Sequence, residues 1–246
     1  MLEGLYSAAA GMAAQQERID GISNDLANAS TTGYKHVRVG FRDLLYVAQG
    51  HGAGPTVAAG AGAAASIFGR SQEQGAIETT DQPLDLAIEG SGYFQVTRAD
   101  GSTALTRDGS LRIDALGRLT TQDGDILQPP IAVPRGTTPD QLSIGSDGTV
   151  RIGSGRALGR IRLVDVPAPD GLQPLGGNVF ATTAQSGAAT VTGAATTLRQ
   201  GALEGSNVDI GDAMVDMMDA QRSFQMASKA IQMQDQMLEI ADQVKR

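Results

Sequence analysis

Two apolar seams of helical spacing, one at each end of the chain, constrain the fold more than any other feature. At the front, Leu5, Ala8, Met12, Gln15, Ile19, Ile22, Leu26 and Ala29 alternate steps of three and four, which keeps one helical stripe facing a partner. At the back, Ile210, Met217, Phe224, Ile231 and Leu238 recur every seven residues, with Ala213, Ala220, Ala227 and Ala241 between them. Only Gln15 and Gln234 interrupt the two stripes. Alternating large and small layers let a neighbouring helix approach closely and interdigitate. The ends are therefore expected to pack together, a pattern that points to assembly rather than catalysis.

Between the seams the pattern changes. Asp-Gly pairs at Asp100-Gly101, Asp108-Gly109, Asp123-Gly124 and Asp147-Gly148 can each take the positive φ of a tight turn. They punctuate short apolar runs around Tyr93, Phe94, Val96, Leu105, Leu111, Ile113, Ile161, Leu163 and Val166, which predicts a small sandwich or barrel. Asn28, Ser30, Thr31, Thr32 and Gly33 end the first helix in a turn near Ala29, and Asp209 caps a last helix running to the chain end. Tyr34 to Tyr46 reads as strand at its start and permits helix at its end. Gln49 to Ser66 holds almost only Gly, Ala, Pro, Thr and Val, too little apolar area to offset its ordering entropy, so it is expected to be mobile in isolation. The expected fold is α+β: long N- and C-terminal helices packing as a coiled-coil-like domain, with a β-rich central body. Its expected divisions are 1–33 with 206–246 as a discontinuous helical assembly domain, 34–69 as a connecting segment, and 70–205 as the body.

Composition narrows the function classes. The 32 glycines beside four tyrosines, five phenylalanines and no tryptophan argue against a large enzyme core. A net charge of -8 without clustered Lys or Arg disfavours a nucleic-acid partner. No run approaches the roughly 20 apolar residues of a membrane span, and no basic residue precedes Arg18, so neither membrane insertion nor a cleavable signal peptide is expected. Absence of cysteine removes disulfides and thiolate chemistry. His36 and His51 are the only histidines, too few for the usual nucleophile–base or zinc arrangements. Gly50, Gly52, Gly54, Gly60 and Gly62 lack the Lys-Ser/Thr of a phosphate loop, and the Asp-Gly pairs lack a calcium loop's terminal Glu. No catalytic, cofactor-binding or metal residue is therefore assigned. Met214, Met217, Met218, Met226, Met233 and Met237 fit an adaptable helix-packing surface better than a promiscuous ligand groove.

The stretch Asn24-Asp25-Leu26-Ala27-Asn28-Ala29-Ser30-Thr31-Thr32-Gly33-Tyr34-Lys35 resembles the N-terminal signature of the bacterial flagellar rod and hook family. The resemblance extends to Gly90-Ser-Gly-Tyr-Phe-Gln-Val, to Ala104-Leu-Thr-Arg-Asp-Gly-Ser and to Glu204-Gly-Ser-Asn-Val-Asp. Asp25 stands where the family has a second Asn, and Ala104 where it commonly has an aromatic. What the resemblance implies is a structural subunit of the flagellar basal body, self-assembling as a helical homopolymer that forms the drive shaft passing torque to hook and filament. It also implies type III export without cleavage through the flagellar channel, a periplasmic position where an outer membrane exists, and other rod and hook subunits, the export apparatus and ring proteins as partners. The signature turn is then carried by Asn28, Thr31, Gly33, Tyr34 and Lys35, where fixing the direction in which the helix leaves the body would control assembly.

The residues themselves are compatible with that. The first helix carries Glu3, Glu17, Asp20 and Asp25 against Arg18, and the chain from Ser206 onward carries seven acids against four bases, a net of -3 for each. Charge cannot draw them together, so the seams must. Leu5, Met12, Ile19, Ile22 and Leu26 with Ile210, Met217, Phe224, Ile231 and Leu238 are the candidate assembly interface. The alternatives are another axial protein, a secreted enzyme or ligand-binding β domain with dimerising helices, and a surface adhesin.

Overall fold

The computed structural model describes residues 2–44, 46–49, 57–60, 62–153, 155–192 and 196–244, with side chains for all of these except 2–5, 46–49, 57–60, 238, 241, 242 and 244. By contacts the chain divides into two units, residues 1–27, 37–68 and 209–246 forming one and 28–36 with 69–208 the other. This differs from the expected division: residues 28–36 belong to the β body, and 37–68 belong with the helices.

The first unit holds α1 (Leu2–Ala27), strands β1 (Val37–Asp43), β2 (Tyr46–Gln49), β3 (Val57–Gly60) and β4 (Ala63–Arg70), the last running on past Phe68 into the second unit, and α2 (Ile210–Val244). The helices are about 39 and 52 Å long at 1.5 Å per residue. α1 stops two residues before the expected end. α2 starts where Asp209 caps it, its Oδ1 accepting from the Gly211 and Asp212 amides at 2.7 and 3.1 Å. The two helices pack against each other, and Arg18 reaches Asp216 at 2.7 Å. Ala14 and Ala220, both buried, lie four residues beyond that pair in the directions antiparallel packing requires.

The stretch from Gln49 to Ser66, expected to be mobile, contributes strands instead: β2 pairs with β3 and β1 with β4, while residues 50–56 and 61 lie outside the described residues. The composition argument omitted a partner. The ribbon lies on α1, where a Cβ at Gly62 would come 3.0 Å from the Ala10 methyl and one at Gly21 2.9 Å from Val39 Cγ2. Small side chains thus allow close contact with a helix.

In the second unit one nine-stranded sheet runs 173–176, 179–181, 103–106, 93–97, 126–127, 119–121 and 111–113, with 163–165 also pairing on 93–97 and carrying 190–191. A three-stranded sheet (142–144, 149–152, 157–160) and two strand pairs (86–89 with 197–200, 77–79 with 202–204) complete it. Strand alternation sends Phe94 and Val96 into a core with Leu86, Ile88, Leu119 and Leu127, and Tyr93 to a second cluster with Leu105, Val164 and Phe180. Ala104, the position that departs from the family's aromatic, is buried in the larger core. Gly101, Gly124 and Gly148 take positive φ. Gly109 does not; it is needed because a Cβ there would sit 1.7 Å from the Leu86 carbonyl oxygen.

Candidate assembly surface and its anchoring turn

The four stretches that carry the family resemblance are far apart in sequence, and within the β body they converge on one buried carboxylate. Glu204 Oε1 accepts from Lys35 Nζ and, at 3.0 Å, from the Gly75 amide; Oε2 accepts from Arg107 at 2.9 Å. Lys35, Arg107 and Glu204 are 3%, 4% and 1% exposed, so all three charges are removed from water and need one another. Arg107 also donates to the Gly90 carbonyl at 3.0 Å and lies 5.4 Å over the Tyr93 ring, and Lys35 donates to the Glu73 carbonyl at 2.6 Å. Burial lowers the Lys35 pKa from its ordinary value, against the hydrogen bond and attraction of Glu204. Burial likewise pushes the Tyr93 phenol up.

The turn itself is built residue by residue. Asn28 accepts from Thr31 twice, through its carbonyl at 3.0 Å and its side-chain oxygen at 3.2 Å. Gly33 adopts φ +66°, and its amide donates to the Glu204 carbonyl at 2.7 Å. A Cβ there would meet the Arg107 carbonyl carbon at 2.8 Å, so both conformation and space demand glycine. Tyr34 is buried under Arg70, whose guanidinium sits 5.1 Å from its ring and 5.5 Å from that of Phe180. Asn207, from the fourth motif, accepts from the His36 amide at 2.8 Å. In the helical unit, Asp25 accepts from the Val37 amide at 3.0 Å, a bond that an Asn oxygen would also serve.

The helical unit is different in kind. Among residues with described side chains, it buries only Ala14, Asp25 and Ala220. The less exposed positions of α2 are Ala213, Met217, Ala220, Phe224, Ala227, Ile231 and Gln234, which trace the seam and mark the face turned to α1. Met12, Ile19, Ile22 and Leu26 are likewise half-buried. The seam is therefore used first within the chain, between its own two ends. Gln15, the polar break, has its side-chain oxygen buried with no hydrogen-bond partner among the described residues. Ile210 is 48% exposed, and the side chains of Leu5 and Leu238 lie outside the described residues.

Sequence periodicity did not single out a second stripe. Val215, Met218, Met226, Met233, Met237 and Ile240 fall on the side of α2 away from the seam, each at least 50% exposed. An apolar face of this length on a two-helix unit is the mark of an interaction surface. No chemistry competes with that reading in the described residues: His36 Nδ1 lacks a hydrogen-bond partner, and His51 lies outside them. No described group of three or more His, Cys, Asp or Glu could hold a metal ion, and no described helix is long and apolar enough to cross a membrane.

Comparison with known proteins adds a family. Residues 5–35 match the family described as flagella basal body rod protein, 87–152 the flagellar hook protein FlgE/F/G D1 domain, and 199–244 the flagellar basal body rod FlgEFG protein C-terminal region. The chain is 38% identical over 205 residues to the flagellar basal-body rod protein FlgG of Caulobacter vibrioides, covering 77% of this chain and 78% of that protein. It is 38% identical over 232 residues to FlgG of Borreliella burgdorferi, with 87% and 88% covered, and 36% identical over 233 residues to FlgG of Bacillus subtilis, with 86% and 87% covered. A flagellar hook protein FlgE of Helicobacter mustelae is 36% identical over 138 residues, 52% of this chain and 30% of that protein.

Proposed function

The chain belongs to the flagellar basal-body rod and hook family, and we propose on that footing that it is a structural axial subunit of the rod, polymerising helically and passing torque towards the hook and filament. The observation that carries the reading is the helical unit's lack of a core of its own beside a β body that has two buried clusters. Heterologous contacts repeated by a rotation that does not close generate an open filament in which each exposed stripe is covered. The seam of Met12, Ile19, Ile22, Leu26, Met217, Phe224 and Ile231 then joins the two ends of each chain, and the outer stripe of α2 meets other copies. Ile210, Leu5 and Leu238 extend the same interface. Similarity over most of their length to proteins named FlgG supports the distal rod over the hook. Export without cleavage through the flagellar secretion channel, a periplasmic position, and contacts with export and ring components follow from the same membership.

The test is complementation of a strain lacking its distal rod protein, with isolation of basal bodies. The chain is expected in the rod fraction with motility restored. A soluble chain absent from basal bodies contradicts the proposal.

A further inference from the structure

We propose that the β1–β4 ribbon of one copy docks on the first turns of α2 of the next copy, an inference that rests on the rod reading and names one specific contact within it. The starting point is Phe68. Its ring fills the space a side chain at Gly40 would take, since a Cβ built there would meet Phe68 Cε2 at 2.2 Å. Val39 faces α1 through its contact with Gly21, so strand alternation turns Gly40, and with it Phe68, away from α1. The same alternation puts Arg38 and Arg42 on that outer face. Phe68 is 56% exposed and lies on bare glycine backbone, a flat aromatic platform with basic flanks.

The partner surface is selected by charge. From Asp209 to Asp219, α2 carries four aspartates and no base, and Met214, Val215 and Met218 are 52%, 53% and 50% exposed among them. Beyond that point the exposed methionines have Arg222 and Lys229 for neighbours, which would repel the arginines of the ribbon. Asp216 is already engaged by Arg18 of its own chain, leaving Asp212 and Asp219 to face Arg38 and Arg42. Met218 against Phe68 is a favourable sulfur–aromatic contact that also tolerates small differences in packing. Within one chain the ribbon lies on α1, so this match is available to a second copy.

The chain has no cysteine, so single introduced thiols report unambiguously. Phe68→Cys and Met218→Cys chains are mixed, copolymerised and treated with a short bismaleimide. The contact predicts a heterodimer band at least about tenfold stronger than for Phe68→Cys with Met233→Cys, whose thiol lies in the basic half of the helix. Polymers that give no 68–218 link, or that link 68 to 68 or 68 to 233 instead, overturn the inference and leave the rod reading intact. Failure of the chain to polymerise at all overturns the rod reading and this inference together. Charge exchange gives an independent readout: Arg42→Glu and Asp219→Arg each lower incorporation about tenfold, and the double variant recovers to within about twofold. Single variants that incorporate normally contradict the contact.

Discussion

The β body and the helical unit solve opposite problems with similar composition. The body buries Phe94, Leu86, Leu127 and Val96 completely and can afford three charges in its interior because Lys35, Arg107 and Glu204 satisfy one another. The helical unit buries two alanines and one aspartate and leaves a row of methionines in water. The first is stable by itself; the second is finished only when other molecules cover it. Isolated helix pairs are marginal in water, so an assembly unit of this kind can order as it polymerises without disturbing the body.

The sharpest way to break the contrast is to attack the body at its shared carboxylate. Glu204→Gln keeps the shape but leaves two buried cations without an anion, and urea unfolding should show a loss of about 3–5 kcal/mol. A wild-type midpoint would mean that the ion cluster does not hold the turn. Phe94→Ala should cost a similar ~3–5 kcal/mol through the cavity it leaves, whereas Phe224→Ala in the half-buried seam should cost the monomer no more than about 1 kcal/mol. Equal costs, measured by the same denaturation, would erase the distinction between the units. Gly33→Val forces a β-branched residue to φ +66° against the Arg107 backbone and should cost about 1–3 kcal/mol, with the body's melting temperature as readout. Phe224→Asp inverts the pattern: β-body stability should stay within about 0.5 kcal/mol of wild type while incorporation into the rod is lost. Normal rod content for that variant would count against the seam.

The smallest effect is on pH dependence. Lys35 holds its proton less tightly in the folded chain than when unfolded, so between its lowered pKa and the ordinary lysine value the unfolded state binds more protons. Stability from this residue therefore rises with pH across that window. Relative to Lys35→Met, the wild type should gain stability between neutral and mildly alkaline pH, short of the region where Tyr93 ionises. A difference that shrinks instead would contradict the assigned direction.

The helices were legible because three-four spacing states both the element and its inner face, and Asp209 announced the start of α2. The same spacing says which face is apolar and nothing about whose surface covers it, which is why the seam reads as an interface between copies until Arg18, Ala14 and Ala220 show it closing within one chain. The outer methionines share no strict heptad and escaped notice as a separate stripe. Gly33 was readable from turn chemistry. The Glu204 cluster was not: its partners lie 169 and 97 residues away, and nothing local to Lys35 or Arg107 tells a buried ion pair from a solvated charge. The ribbon was missed for a related reason, since a Gly/Ala-rich strand draws its stability from the helix beneath it.

Hydrogen exchange on monomer and assembled rod, residue by residue, tests most directly whether the helical unit is completed by other copies. The account predicts that amides of 210–244 exchange far more slowly in the polymer while those of 86–127 keep the protection they already have as monomer. Equal protection of 210–244 in both states would contradict it.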